Sequence, residues 1–296
     1  MSDLATVLSV GRLYCDLIFT DLPRMPTMGT EVYAGGFGVH AGGGAFITAA
    51  HLAALGHPSA LSAILPAPPL AGLIEPDLAR AGLDLRLCKA AAPGDEPQAT
   101  VALVGAQDRA FVTHRTGPAF PPLTVADLTD LGVTHVHIGE LATLIERPGI
   151  AEIARAAGAT LSLDCSWDDS LAAADIAAVL GQVDLFLPNE AEVARLHEIG
   201  VPATQFPLTA IKRGAEGASL LTGGTEIHRP AEPVTVVDTT GAGDAFNAGF
   251  LSAWLAGASP EACLEAGNAQ GARAVSRRGG FHGPEPEAGQ GAPPGS

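Results

Sequence analysis

Residues 238–246 read DTTGAGDAF and run on as NAGFLSAWLAG, so a lone aspartate follows a Gly-Ala-Gly run at the head of an apolar stretch. Small residues at 241–243 permit a tight turn and let the backbone approach a ligand closely. If a helix begins near Ala242, its free N–H groups and dipole make an anion site, with Asp244 in the first turn. A helix dipole alone also favours an aspartate at such a position. Capping, however, needs neither the Gly-Ala-Gly run nor room for a ligand. A carboxylate beside an anion site suits transfer of a phosphoryl group to a hydroxyl. The N–H groups hold the charged group while the carboxylate takes the proton.

Other glycine-rich stretches carry less. The chain has two lysines, Lys89 and Lys212, and neither follows a glycine, so a phosphate-binding GxxxxGK[ST] loop is absent. GFGVHA at 36–41 matches the degenerate dinucleotide pattern, but no acidic residue occurs between Glu31 and Glu75 to bind a ribose. In PNEAE (188–192), Asn189 and Glu192 have the spacing of a capping box. In KRGAEG (212–217), Gly214 and Gly217 read as a hairpin turn on spacing alone.

The elements that must position these residues alternate. TVLSVG (6–11) reads as a buried first strand, and GGGAFITAAHLAALG (42–56) as a glycine-rich lead into a helix ending at Gly56. ALSAIL, LDLRLC, THVHIG, TLSLDC and VDLFLP read as strands. Helical stretches separate them, among them PPLAGLIEPDLARAG, ELATLIERPGIAEIARAAG and NEAEVARLHEIG. Strands alternating with helices predict a parallel sheet covered on both faces. QATVALVG and RAFVTHR (98–115) predict a hairpin with no helix between its strands, and GTEVYAGGFGV (29–39) another extended segment. Together they predict a small antiparallel flap. Beyond Gly279 the chain is rich in glycine and proline, and its far end is expected to be disordered.

Composition narrows the function. With 47 % hydrophobic and 16 % charged residues in 296, the chain can bury a sizeable core. A net charge of −16 disfavours nucleic acid or an anionic membrane as partner. The four cysteines, Cys15, Cys88, Cys165 and Cys263, lie far apart without a CxxC pair, which argues against a disulfide framework or zinc site and fits a reducing cytoplasm. MSDLATVLSVG does not read as a signal peptide, and no apolar run reaches the ~18 residues of a membrane span.

DTTGAGDAF resembles the C-terminal signature of the PfkB, or ribokinase-like, carbohydrate kinases, and the resemblance extends over nearly the whole chain. It implies a three-layer α/β/α fold with a mostly parallel central sheet and a small β-lid. That kinase domain would span 1–282, with lid segments near 12–39 and 98–115, ahead of a tail at 283–296. It implies ATP-dependent phosphorylation with Asp244 as catalytic base and Gly241, Ala242 and Gly243 as the anion hole. Asn189 and Glu192 correspond to an element that orders magnesium and phosphate. Lys212, Gly214 and Gly217 correspond to a loop lining the nucleotide, and Asn268 to a nucleotide-facing position on the last helix. Asp16, Gly42, Gly43 and Glu140 correspond to acceptor-binding positions. Asp238 and Thr240 sit where potassium-dependent members supply oxygen ligands. Relatives with a lid often dimerise through it, so a homodimer is implied as well.

The sugar-reading half departs from that pattern. Ile47 stands where the family usually carries an asparagine, Tyr14 where ribokinases tend to have a polar residue, and Trp167 where many sugar-acid kinases have arginine. An isoleucine neither donates nor accepts a hydrogen bond. The expected acceptor is therefore a sugar or sugar-like molecule other than ribose, a nucleoside included. Arg12 and Arg115 are candidates to meet an acidic or phosphorylated acceptor. A kinase-fold sensor that binds a ligand without phosphorylating it is the alternative from another class. Hydroxymethylpyrimidine or pyridoxal kinases share the architecture but resemble versions without the lid.

Overall fold

A computed structural model describes residues 4–105, 109–166, 168–277, 279–281 and 283. In chain order its strands are β1 Val7–Val10, β2 Tyr14–Leu22, β3 Gly36–Gly42, β4 Ser59–Ser62, β5 Ile64–Leu65, β6 Lys89–Ala90, β7 Ala99–Gly105, β8 Arg109–His114, β9 His135–Ile138, β10 Thr160–Asp164, β11 Leu185–Leu187, β12 Leu208–Lys212, β13 Ala218–Thr222 and β14 Thr225–Arg229. Its helices are α1 Gly44–Ala54, α2 Leu70–Ala81, α3 Val125–Asp130, α4 Leu141–Glu146, α5 Gly149–Ala156, α6 Ala173–Val179, α7 Glu190–Glu198, α8 Ala242–Leu255 and α9 Pro260–Val275.

The main sheet has the order β14-β13-β12-β11-β10-β9-β1-β4. Pairing is parallel from β4 through β12 and antiparallel at β13 and β14. Alternate side chains feed two cores, as the pleat requires. Leu8, Val10, Val136, Ile138, Leu161, Leu163 and Phe186 face α3, α5, α6 and α7. Val7, Leu185, Leu187 and Ala210 face α1, α8 and α9. This is the α/β/α arrangement, with a mostly parallel sheet, that the alternation predicts. Parallel strands place their C-terminal ends along one edge, where an open α/β sheet carries its ligands.

A second sheet, β3-β2-β7-β8, forms the small lid. The expected hairpin is β7–β8, and the extended 29–39 segment contributes β3. The lid is mixed rather than purely antiparallel, because β2 and β7 run parallel. β2 leaves the body at residue 14 and β7 at residue 99 in the same direction, and each returns through its own antiparallel neighbour.

Three further expectations are corrected. LDLRLC is not a strand. Only Asp84 bridges Ala60; Arg86 then folds back onto the Asp84 carboxylate and Cys88 N–H turns to Leu85 O, leaving the short β5–β6 pair. The stretch after THVHIG breaks at Arg147–Pro148 into α4 and α5, since proline brings no N–H to continue the ladder. Residues 208–229 add three strands at the sheet edge, two of them antiparallel, beyond the strands read from the sequence. The tail expected to be disordered lies, from 284 on, outside the described residues.

The two histidines of THVHIG are internal. His135 and His137 lie fully buried in β9 and share Ser162 Oγ at 2.8 and 2.9 Å. Burial pushes them down to about 3 and about 4, so both are neutral at physiological pH.

α8 is held against α9 by backbone contact. A β-carbon at Gly249 would lie 2.4 Å from Ala266 O, and one at Gly267 would lie 2.6 Å from the Phe246 ring. Gly249→Ala therefore forces the helices apart, and we expect a loss of about 1–3 kcal/mol in urea unfolding, the usual range for overpacking. An unchanged midpoint would mean that the helix pair has slack there.

Candidate active site

The αL turn at Gly241 (φ 71°) opens α8 at Ala242, as the sequence leads one to expect. A β-carbon at Gly241 would lie 2.7 Å from Gly280 Cα, so the turn is pressed against the segment after α9. In the first turn of α8, the N–H groups of Gly243 and Asp244 have no carbonyl one turn back within the helix. Asp244 stands on this turn, half-buried.

Beneath it lies a buried cation. Lys212, at the end of β12, places Nζ 2.9 Å from Asp164 Oδ1 and 3.2 Å from Asn247 Oδ1. Asn247 Nδ2 closes the triangle by donating to Asp164 Oδ2 at 2.6 Å. Nζ would lie 3.4 Å from a β-carbon at Gly243, directly under the turn. Burial alone would lower the lysine's pKa. Asp164, then Glu192 and Asp244, outweigh that and raise it, so the ammonium stays charged. Asp164 and Asn247 are members of the site that the sequence reading missed. The signals were a carboxylate at the C-terminal end of a strand and an asparagine inside the apolar run FNAGF.

Asp244 itself is pushed up to about 7, first by burial and then by Asp164. It faces the start of α1, where a β-carbon at Gly44 would come within 3.0 Å of Asp244 Oδ1 and 2.8 Å of Gly139 O. The two preceding glycines are needed for other reasons. Gly43 adopts φ 100°, and a β-carbon there would lie 2.3 Å from Arg12 O. One at Gly42 would collide with the Asp16 carboxylate. Asp16 is pushed up to about 7 by burial, against a hydrogen bond from Thr100.

Glu140 follows β9 by two residues and stands at the N-cap of α4. Burial raises its pKa, opposed by Arg12, Arg115 and hydrogen bonds from Tyr14 and Thr143. Arg115 is 37 % exposed and pairs with Asp168. Gly44 thus faces Asp244 directly, Gly42 abuts Asp16, and Tyr14 and Arg115 lie beside Glu140. Two sequence candidates point elsewhere. Ile47 is buried against the turn, where a β-carbon at Gly280 would lie 2.8 Å from its Cδ1. Arg12 is buried in contacts of its own. Trp167 lies outside the described residues.

Asn189 and Glu192 form a complete capping box on α7. Asn189 N–H donates to Glu192 Oε2 at 2.7 Å, and Glu192 N–H to Asn189 Oδ1 at 2.9 Å. Gly214 and Gly217 make the turn between β12 and β13. A β-carbon at Gly217 would lie 2.1 Å from Arg229 O, the carbonyl to which Asn268 Nδ2 donates at 3.0 Å. Gly217 and Asn268 therefore meet at residues 229–231.

Asp238 accepts from Thr240 N–H at 2.9 Å and Gly279 N–H at 2.8 Å. Burial would raise its pKa, but these bonds hold it below the usual carboxylate range. Thr240 Oγ1 is buried without a hydrogen-bond partner among the described residues. Arg109, from the lid, donates to Thr239 Oγ1 and so ties the lid to the signature turn. The sequence reading missed this residue too.

The raised carboxylates have a consequence for stability. Their folded pKa values lie near 7, above the unfolded value near 4. Between those values the folded chain binds more protons than the unfolded one, so stability falls as pH rises through the window. We expect Asp244→Asn to raise the thermal midpoint at pH 8 relative to the parent, with the gap shrinking towards pH 4. A lower midpoint for the variant at pH 8 would contradict the raised pKa.

Residues 4–287 match the model of the pfkB family of carbohydrate kinases. The chain is 30 % identical over 293 residues to the ATP-dependent ribose-1-phosphate kinase of Halopiger xanaduensis, covering 95 % of this chain and 96 % of that protein. The nucleoside kinase of Methanocaldococcus jannaschii superposes with a TM-score of 0.78 at 19 % identity, over 95 % of this chain and 94 % of that one. Arabidopsis thaliana ribokinase, solved with ribose and ATP, gives 0.73 at 22 %, over 94 % of each chain. Among the described residues no helix is long and apolar enough to cross a membrane. The chain belongs to the pfkB family of carbohydrate kinases.

Proposed function

We propose that this protein transfers the terminal phosphoryl group of ATP to a primary hydroxyl of a sugar or sugar-like acceptor, with Asp244 as general base. One observation carries the reading. A carboxylate of raised pKa stands on a helix N-terminus, above a buried lysine and facing the Gly42–Gly44 stretch. The acceptor hydroxyl would lie between Asp16 and Asp244, its proton passing to Asp244. First-turn N–H groups at 241–244, backed by Lys212, would stabilise the charge on the transferred group.

For a nucleotide, the residues at hand would be Gly214 and Gly217 in the β12–β13 turn and Asn268, which meets Gly217 at residues 229–231, with Lys212 under the α8 turn for the phosphates. Magnesium keeps several waters and binds through phosphate oxygens, and Asn189 and Glu192 would be the residues to order it. Bound there, it would neutralise phosphate charge. A potassium ion would find the Asp238 carboxylate and the unpartnered Thr240 Oγ1. A second copy docking on the lid, where Phe37, Phe111 and Val112 are exposed, would give the homodimer.

For the acceptor, Arg115 is the informative residue. It is partly exposed beside Tyr14 and Glu140, so an anionic group on the acceptor could displace Asp168 from it. The relative named for ribose 1-phosphate supports testing a phosphosugar. A nucleoside acceptor of the same family is the second reading, and the nucleoside kinase of Methanocaldococcus jannaschii shares the fold.

The test is an ATP-consumption screen with magnesium and potassium. It covers ribose, ribose 1-phosphate, fructose, 2-keto-3-deoxygluconate, tagatose 6-phosphate, adenosine, inosine and pseudouridine. One strong acceptor is expected, with Asp244→Asn lowering turnover by at least ~10² while ATP still binds. Normal turnover in that variant would sink the assignment, and binding of an acceptor without any transfer would favour a sensor. The rate should rise with pH and level off above about 7, where Asp244 is ionised. A profile flat from pH 5 to 8 would remove Asp244 as the base.

A further inference from the structure

Arg12 lies two residues before the first lid strand and is 6 % exposed. Its guanidinium reaches four acceptors. Nη1 donates to Gln98 Oε1 at 2.6 Å and to the carbonyls of Thr116 and Gly117 at 3.0 Å each. Nη2 donates to Glu146 Oε2 at 2.5 Å. Gln98 immediately precedes β7, and Thr116 and Gly117 follow β8 by two and three residues. One side chain therefore joins the roots of three of the four lid strands. The backbone adds to the joint, since Cys15 N–H donates to Gln98 O at 3.0 Å. Glu146 connects it to the body. It ends α4, the helix that begins beside Glu140, and its other oxygen accepts Ala119 N–H at 3.1 Å.

We infer that Arg12 is a positioning residue that pins the base of the lid, through Glu146, to the helix that Glu140 precedes. The inference builds on the proposed function only in taking the lid as the cover of the acceptor. The four acceptors converge on Nη1 and Nη2 of a planar guanidinium that is buried at the root of the lid. A lysine could not reproduce that pattern, because its single ammonium cannot fork between Gln98, two carbonyls and a carboxylate. Strands β2, β7 and β8 would keep their own pairing without the pin but lose a fixed angle to the body. The acceptor walls at Asp16, on β2, and Glu140, just before α4, would then lose their register with each other.

Hydrogen–deuterium exchange on the full chain tests this without any substrate. In Arg12→Lys we expect amides of β2, β7 and β8 to exchange at least ~10-fold faster, the size set by losing charged hydrogen bonds, with β9–β12 unchanged. Glu146→Gln, which keeps the shape and removes the anchoring charge, should show the same lid-confined pattern. Equal acceleration in β9–β12 would make Arg12 an ordinary stability residue, and no acceleration in the lid would show that the pin bears no strain; either overturns the inference. Once an acceptor is known, Arg12→Lys should raise its KM several-fold and leave the KM for ATP unchanged. A rise in both, or in ATP alone, also overturns it. Failure to find any acceptor would count against the proposed function and leave the exchange result standing.

Discussion

A lysine ammonium buried under the N-terminus of a helix is an unfavourable arrangement by itself. It loses water and meets the positive end of the dipole of α8. The structure makes it tenable with Asp164, which takes the charge, and Asn247, which bonds both partners. The three come from β10, β12 and α8, so the pair can exist only when those elements are packed in this order. Asp244 and Glu192 add further negative charge around the ammonium. In the proposed reaction a phosphate group would meet the N–H donors of the turn and this cation already in place.

The same crowding explains the glycines. Around the starts of α1 and α8, Gly44 faces Asp244, Gly241 abuts Gly280 and Ile47, and Gly43 abuts Arg12 O. A side chain at Gly44 or Gly241 would push the two helix starts apart, and one at Gly43 would strike the backbone before β2. Drawing Asp16 and Asp244 into this junction strips them of water and raises both pKa values. The native fold is thereby less stable above neutral pH than it would be with neutral groups at those positions. In the proposed reaction, a base whose pKa sits near the working pH would be the corresponding gain for proton transfer.

The lid is built differently from the body. It is a mixed sheet whose strands leave the body at adjacent points, and it is joined to the body both by apolar packing of Cys15, Val39 and Ala41 on α1 and α2 and by polar bonds. Arg12 and Glu146 hold its base, while Arg109 reaches from β8 to Thr239 in the signature turn. A cover fastened by directed hydrogen bonds at its root can stay rigid as a sheet while its far edge moves over a ligand.

How much of this was legible depended on sequence separation. Asp244 in its Gly-Ala-Gly setting, the capping box of Asn189 and Glu192, and the alternation of strands and helices are local patterns. Local geometry alone produces each of them, so the amino-acid order declares them. Even the misread stretches failed locally: Pro148 splits one helix into two, and Arg86 curls a strand-like run back on Asp84. By contrast Lys212 and Asp164 are 48 residues apart, Arg12 and Glu146 134 apart, and Arg109 and Thr239 130 apart. Nothing in the order of residues marks such pairs, because charge and reach fit many partners equally well. The chain by itself determined the elements, the catalytic-looking turn and the family. Only the packed sheet decided that Lys212 lies under that turn, that Ile47 backs the glycines, and that Arg12 serves the lid. Which side chains share a desolvated space is a property of the packing and not of any one segment.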